Sequence, residues 1–125
     1  MIAHGSRDPQ GNEAFFQFVR KFRKAFPQRK VEAAFLELAK PSIPEGIENC
    51  MASGADEIFV VPMMVFPGRH VKEHIPAFIE AAKEKYPGVD FHYAGPLSDN
   101  RAFMNLVEQK ARSVKRKGNS KVGKR

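Results

Sequence analysis

Short apolar runs alternate four times with stretches of helical periodicity along this chain, and that alternation limits the fold more than any other feature. The runs are Met1–Ala3, Val31–Leu38, Ile58–Val61 and the alternating Val89, Phe91 and Tyr93. Each is followed by apolar residues three and four apart, the spacing of one helix face. Phe15, Phe16, Phe18, Val19, Phe22 and Phe26 form the first stripe, with Arg20, Lys21, Arg23 and Lys24 between them. This helix follows the loop His4–Asn12, is expected to be capped by Asn12, and ends before Pro27. Ser42 precedes a second helix with Pro44 in its first turn, where a missing N–H costs nothing. Its stripe is Ile43, Ile47, Cys50 and Met51, and Gly54 ends it. A third helix is expected over Val71–Tyr86 with stripe Ile75, Phe78, Ile79 and Ala82. A fourth carries Phe103, Leu106, Val107 and Val114, capped by Asp99 or Asn100. Strand–helix alternation with short connections implies right-handed crossovers and a parallel sheet with helices on both faces. The expected fold is therefore α/β, a three-layer sandwich around a four-stranded parallel sheet, in one domain over residues 1–112.

The segment Ile58–Pro76 sits at the centre of this scheme. Ile58, Phe59, Val60 and Val61 form an unbroken apolar run, which suits a parallel strand covered on both faces. Pro62 ends the ladder by removing a donor. Gly68, Arg69 and His70 follow, placing a histidine in the loop after the carboxyl end of a central strand. Open α/β sheets bind their ligands at that edge.

Charge separates the body from its end. The net charge is +7, but Lys115, Arg116, Lys117, Lys121, Lys124 and Arg125 supply six of those charges and leave 15 basic residues against 14 acidic. Residues 113–125 read as a basic, disordered tail, and any nucleic-acid role would rest on it alone. No apolar run reaches the ~18 residues of a membrane span. No basic region followed by an apolar core marks a secretory signal. The single Cys50 fits a reducing cytoplasm and has no metal-ligand spacing.

Three residues stand at three strand ends on one edge of the expected sheet. His4 follows the first strand, Glu37 closes the second and His70 follows the third. Two imidazoles and a carboxylate suit a borderline divalent ion such as Co²⁺, Ni²⁺, Fe²⁺ or Zn²⁺. Three protein ligands leave coordination positions open. The simpler alternatives are surface histidines and a salt bridge from Glu37 to Arg7, Lys40 or Arg69.

HGSRDPQGN at the start, FLELAKPSIPEGI in the middle and VVPMMVFPGRHVKEHIP at the centre resemble the small sirohydrochlorin chelatases, cobalt- and iron-inserting members of the class II chelatases. The resemblance covers about residues 2 to 110. It implies insertion of a divalent metal into sirohydrochlorin without ATP, with no permanently bound cofactor and the metal (Co²⁺, Fe²⁺ or Ni²⁺) as substrate. It implies that His4, Glu37 and His70 hold the metal and that the short chain works as a homodimer. Arg7, Arg69 and Lys72 lie beside the motif histidines and are candidates to meet the carboxylates of the macrocycle. Gly5 and Ser6 offer backbone N–H groups there, and Phe66 and Pro67 an apolar wall. The sequence departs from the family pattern at His74, where an acidic residue is expected. His74 reads as an added ligand, a proton relay, or a supporting or surface residue. A non-catalytic metal carrier with the same three ligands is the alternative. A phosphate-binding module with a nucleic-acid tail is a third reading, and it lacks a glycine-rich fingerprint.

Overall fold

The first helix starts earlier than the sequence reading placed it. In the computed structural model, which describes residues 1–117, α1 runs Pro9–Ala25 and is capped by Asp8, whose carboxylate accepts from the Gln10 N–H. An aspartate followed by proline is a stronger start signal than Asn12, because the proline needs no hydrogen-bond acceptor at that position. Asn12 instead clamps the preceding loop. Its Oδ1 accepts from Ser6 N–H at 2.9 Å and its Nδ2 donates to the Ser6 carbonyl at 2.8 Å.

The remaining elements follow the expected order. They are β1 (Ile2–Ala3), β2 (Ala34–Phe35), α2 (Ile43–Ala52), β3 (Glu57–Val60), a π-helical turn (His70–His74), α3 (Ile75–Lys85), β4 (Asp90–Tyr93), a 3₁₀ turn (Leu97–Asp99) and α4 (Arg101–Lys117). Ser42 and Glu45 cap α2 reciprocally, the Ser42 N–H reaching Glu45 Oε1 at 2.8 Å. The helix α4 continues five residues into the segment expected as tail, and residues 118–125 lie outside the described residues.

The expected four-stranded sheet is present instead as two parallel pairs, β1–β2 and β3–β4. A ladder is only as long as its shorter strand, and β1 has two residues. Among the described residues the pairs meet at one bridge, Ile2 to Pro62. There Ile2 N–H donates to Val61 at 2.9 Å and Met63 N–H donates to Ile2 at 2.7 Å. Pro62, lacking an N–H, has nothing to offer the Ala94 carbonyl, so the β3–β4 ladder stops after Ala94 N–H donates to Val60.

Alternate residues of the strands divide the packing. On one side Ile2, Ala34, Ile58 and Val60 meet Ile43 and Ile47 of α2 and Ile75, Ile79 and Ala82 of α3 in one core. Ile75 is fully buried, and truncating it to alanine costs about 2–5 kcal/mol. Gly46 lets α2 approach β2, since a Cβ there would lie 2.9 Å from that of Ala34. On the other side Phe15 and Phe16 of α1 meet the buried Phe35 edge-on at 5.3 and 5.4 Å. Helices thus cover β1–β2 on both faces. Among the described residues the β3–β4 pair is covered on one face only, contrary to the reading of Ile58–Val61 as doubly buried: Phe59 is 52 % exposed. Its ring stacks on His92 at 4.8 Å and carries the Arg29 guanidinium at 5.5 Å. The helix α4 does not fill that space, because its main contact is the 3₁₀ turn. It leaves Met104, Leu106, Val107 and Val114 exposed.

Candidate metal centre

Backbone pairing carries His4 and Glu37 to the same place. Beyond the two-residue ladder of β1 and β2 the parallel bonds continue, Leu36 N–H to Ala3 at 2.9 Å and Glu37 N–H to His4 at 3.1 Å. The two side chains project from this extension and meet, His4 Nε2 lying 3.0 Å from Glu37 Oε2. Gly5 makes the approach possible. Its φ is +100°, and a Cβ there would stand 1.8 Å from the Glu37 carbonyl oxygen. Leu38, next along, also holds a positive φ of 68°, so the backbone on the far side of Glu37 is constrained as well.

His70 arrives from the other strand pair. The loop after β3 exposes Val65 and Phe66, then enters the π-turn at His70. Pro76 explains the turn's hydrogen bonds. Ile75 N–H donates to His70 rather than to Val71. The next residue, Pro76, has no N–H to offer the Val71 carbonyl. Tyr93 of β4 fills that vacancy, its hydroxyl donating to Val71 at 2.7 Å. Burial pushes the Tyr93 phenol above its usual range. In sequence Tyr93 reads only as a strand residue. The available signal was a tyrosine on the inward register of β4, a position that needs a partner for its hydroxyl.

One donor atom each from His4, Glu37 and His70 lies within 4.8 Å of the others. Four donors around an ion at ~2.1 Å stand about 3.4 Å apart, so the cluster is near the size of one divalent ion. His4 and Glu37 are about half exposed and His70 partly so, which leaves room for a further ligand. Glu37 pairs with His4, not with the basic residues expected as its alternatives. Lys40 pairs with Glu45 at 3.5 Å and Arg69 with Glu73 at 3.6 Å. Ser6 is engaged with Asn12 and Asp8. Arg7 and Lys72 are exposed. His92 lies outside the cluster, 3.0 Å from Glu57. Burial raises the Cys50 thiol's pKa, and Cys50 lies at the amino ends of the strands, away from the three donors. A cavity of about 620 Å³ lies elsewhere, at the amino ends of β2 and β3, and none of the three donors lines it.

These features define a parallel α/β protein with an open His–Glu–His donor cluster at its strand ends. The CbiX family model matches residues 1–114, and the chain belongs to the CbiX family. It is 39% identical over 108 residues to a sirohydrochlorin cobaltochelatase of Priestia megaterium, covering 86% of this chain and 35% of that protein. It is 36% identical over 109 residues to a sirohydrochlorin ferrochelatase of the same organism, covering 86% and 41%. Among solved structures it resembles the sirohydrochlorin chelatase SirB from Bacillus subtilis subspecies spizizenii in complex with cobalt. That match has a TM-score of 0.76 and 29% identity, over 90% of this chain and 48% of that one. The chain thus spans between a third and a half of the length of these relatives. Among the described residues no helix is long and apolar enough to cross a membrane.

Proposed function

We propose that the protein inserts a divalent metal into sirohydrochlorin, with the metal as substrate and His4, Glu37 and His70 as its ligands. The observation that carries this reading is the convergence of three donors, from two loops and the π-turn, far apart in sequence, within 4.8 Å. The family membership supports it. Insertion strips two pyrrole protons and moves the ion from protein to macrocycle. An imidazole that releases the ion can accept a proton, and a carboxylate beside it can do the same. Both histidines are assigned that work, with Glu37 as third ligand and proton acceptor.

The macrocycle carries eight carboxylates. Arg7, Arg69 and Lys72 are the cations assigned to them, and Arg69 would exchange Glu73 for a substrate carboxylate. Phe66, 72% exposed, offers an apolar face to the ring, with Gly5 and Ser6 giving close access. The relatives include a cobaltochelatase and a ferrochelatase, and cobalt is the first choice here, iron the second. The assembly proposed is a homodimer, supported by the exposed apolar residues of α4 and of β3. A cytoplasmic location fits the free Cys50.

The test is anaerobic absorbance of sirohydrochlorin with Co²⁺ or Fe²⁺, comparing wild type with His4→Ala and His70→Ala. Protein-dependent conversion that both variants lose is the expected result. Metal binding without accelerated conversion would replace the enzyme with a metal carrier.

A further inference from the structure

Each of the two imidazole donors has its Nδ1 tied to a neighbour. His4 Nδ1 lies 3.0 Å from the Gly5 carbonyl. A carbonyl only accepts, so this contact places a hydrogen on Nδ1 and assigns Nε2 to the metal. The neighbour of His70 is another histidine. His70 Nδ1 lies 2.6 Å from His74 Nδ1, and the rings are 4.7 Å apart with a 54° tilt. Both stand on the π-turn and both are partly buried, so the pair is built into the backbone.

An N···N contact this short holds one hydrogen between the two nitrogens. Its owner decides what His70 can do. If His70 donates, its Nε2 keeps a lone pair and can ligate. If His74 donates, Nδ1 of His70 is the acceptor and its Nε2 carries the hydrogen instead. We propose that His74 is a positioning residue, which accepts the His70 Nδ1 hydrogen and holds the ring with its Nε2 lone pair presented to the metal. His74 thereby does for His70 what the Gly5 carbonyl does for His4. The inference rests on the metal-site reading above but not on the reaction.

Aspartate is the informative replacement. Its Oδ stands the same number of bonds from Cα as the imidazole Nδ1, and it accepts without donating. The full chain is titrated with Zn²⁺ against a chromophoric chelator, and ¹⁵N spectra are recorded of the ¹⁵N-histidine-labelled, Zn²⁺-loaded protein. His74→Ala is expected to lose about 10–100-fold in Zn²⁺ affinity. His74→Asp is expected to stay within about threefold of wild type or bind more tightly, because the acceptor is retained. The wild-type spectrum should show His70 bound through Nε2, with Nδ1 protonated and coupled to a His74 nitrogen.

An alanine variant that binds as wild type does would overturn the proposal, and so would an aspartate variant no better than alanine. A spectrum in which His74 itself is metal-bound would make it a fourth ligand and overturn it equally. The chelatase reading can fail independently: a protein that binds Zn²⁺ in this pattern but converts no sirohydrochlorin keeps the role of His74 and loses the reaction.

Discussion

Gly5→Ala tests whether backbone fit at the first loop builds the centre. Glycine sits there at φ +100°, and an alanine Cβ would lie 1.8 Å from the Glu37 carbonyl oxygen, where real contacts stay beyond 3.0 Å. Relief requires the two strand ends to part by more than an ångström. That breaks the Glu37 N–H bond to His4, now 3.1 Å. The conformational strain costs about 1–3 kcal/mol, and the lost bond adds about 1 kcal/mol. The unfolding midpoint should then fall by roughly 8–15 °C for a domain of this size. Moving the carboxylate that far removes it from reach of an ion shared with His4 and His70, and Co²⁺ affinity should drop about 100-fold, as when a metal site loses the support of its ligands. Gly54→Ala is the control. Its φ is +83° but a Cβ would meet nothing within 4 Å, so it carries strain without collision. Calorimetry and competition titration on both variants give the answer. Gly54→Ala should lose stability and keep affinity, while Gly5→Ala should lose both. A Gly5→Ala protein that binds Co²⁺ like wild type would refute the reasoning.

Other expectations follow from single contacts. Tyr93→Phe leaves the Val71 carbonyl without its donor, which should cost about 1–3 kcal/mol in denaturant unfolding. Because burial raises the Tyr93 phenol above its unfolded value of 10.0, its contribution is full below pH 10.0 and is lost as pH climbs through the raised value. The phenylalanine variant should lack that alkaline component. Glu45 behaves oppositely. The Ser42 backbone N–H, then the Ser42 hydroxyl, hold its carboxyl below the usual 4.5, so its contribution is present above pH 4.5 and is lost as pH falls through the depressed value. Glu45→Gln should flatten that part of an acid titration followed by circular dichroism. If α4 forms the interface of the proposed homodimer, Leu106→Glu with Val107→Glu should shift sedimentation from dimer to monomer with the fold intact; sedimentation as a monomer in the wild type, or no shift in the variant, would remove that role from α4.

The order of elements was readable because alternation and helical spacing are local properties of the sequence. So was the placement of His4, Glu37 and His70 on one edge, since topology alone carries strand ends together. Ladder length was not readable, because it depends on how much partner a strand finds: Val31–Leu38 looks like eight strand residues and pairs in a ladder over two. Nor was the exposure of Phe59, which follows from where α4 lies rather than from the run Ile58–Val61. The π-turn is not legible in the sequence, because Val71–Tyr86 has ordinary helical spacing. Its cause, a proline two residues after His74, falls in the early turns of the expected Val71–Tyr86 helix, past the first turn where a missing N–H costs nothing. The His70–His74 contact follows from that turn, and four-residue spacing hinted at it.

The bridge between Ile2 and Pro62 gives the centre a mechanical character. Two donors ride on one strand pair and the third on the other, with one backbone bridge where the pairs join. Any sliding of one pair past the other changes donor spacing directly. An ion gripped by all three residues would act as a rivet across that seam.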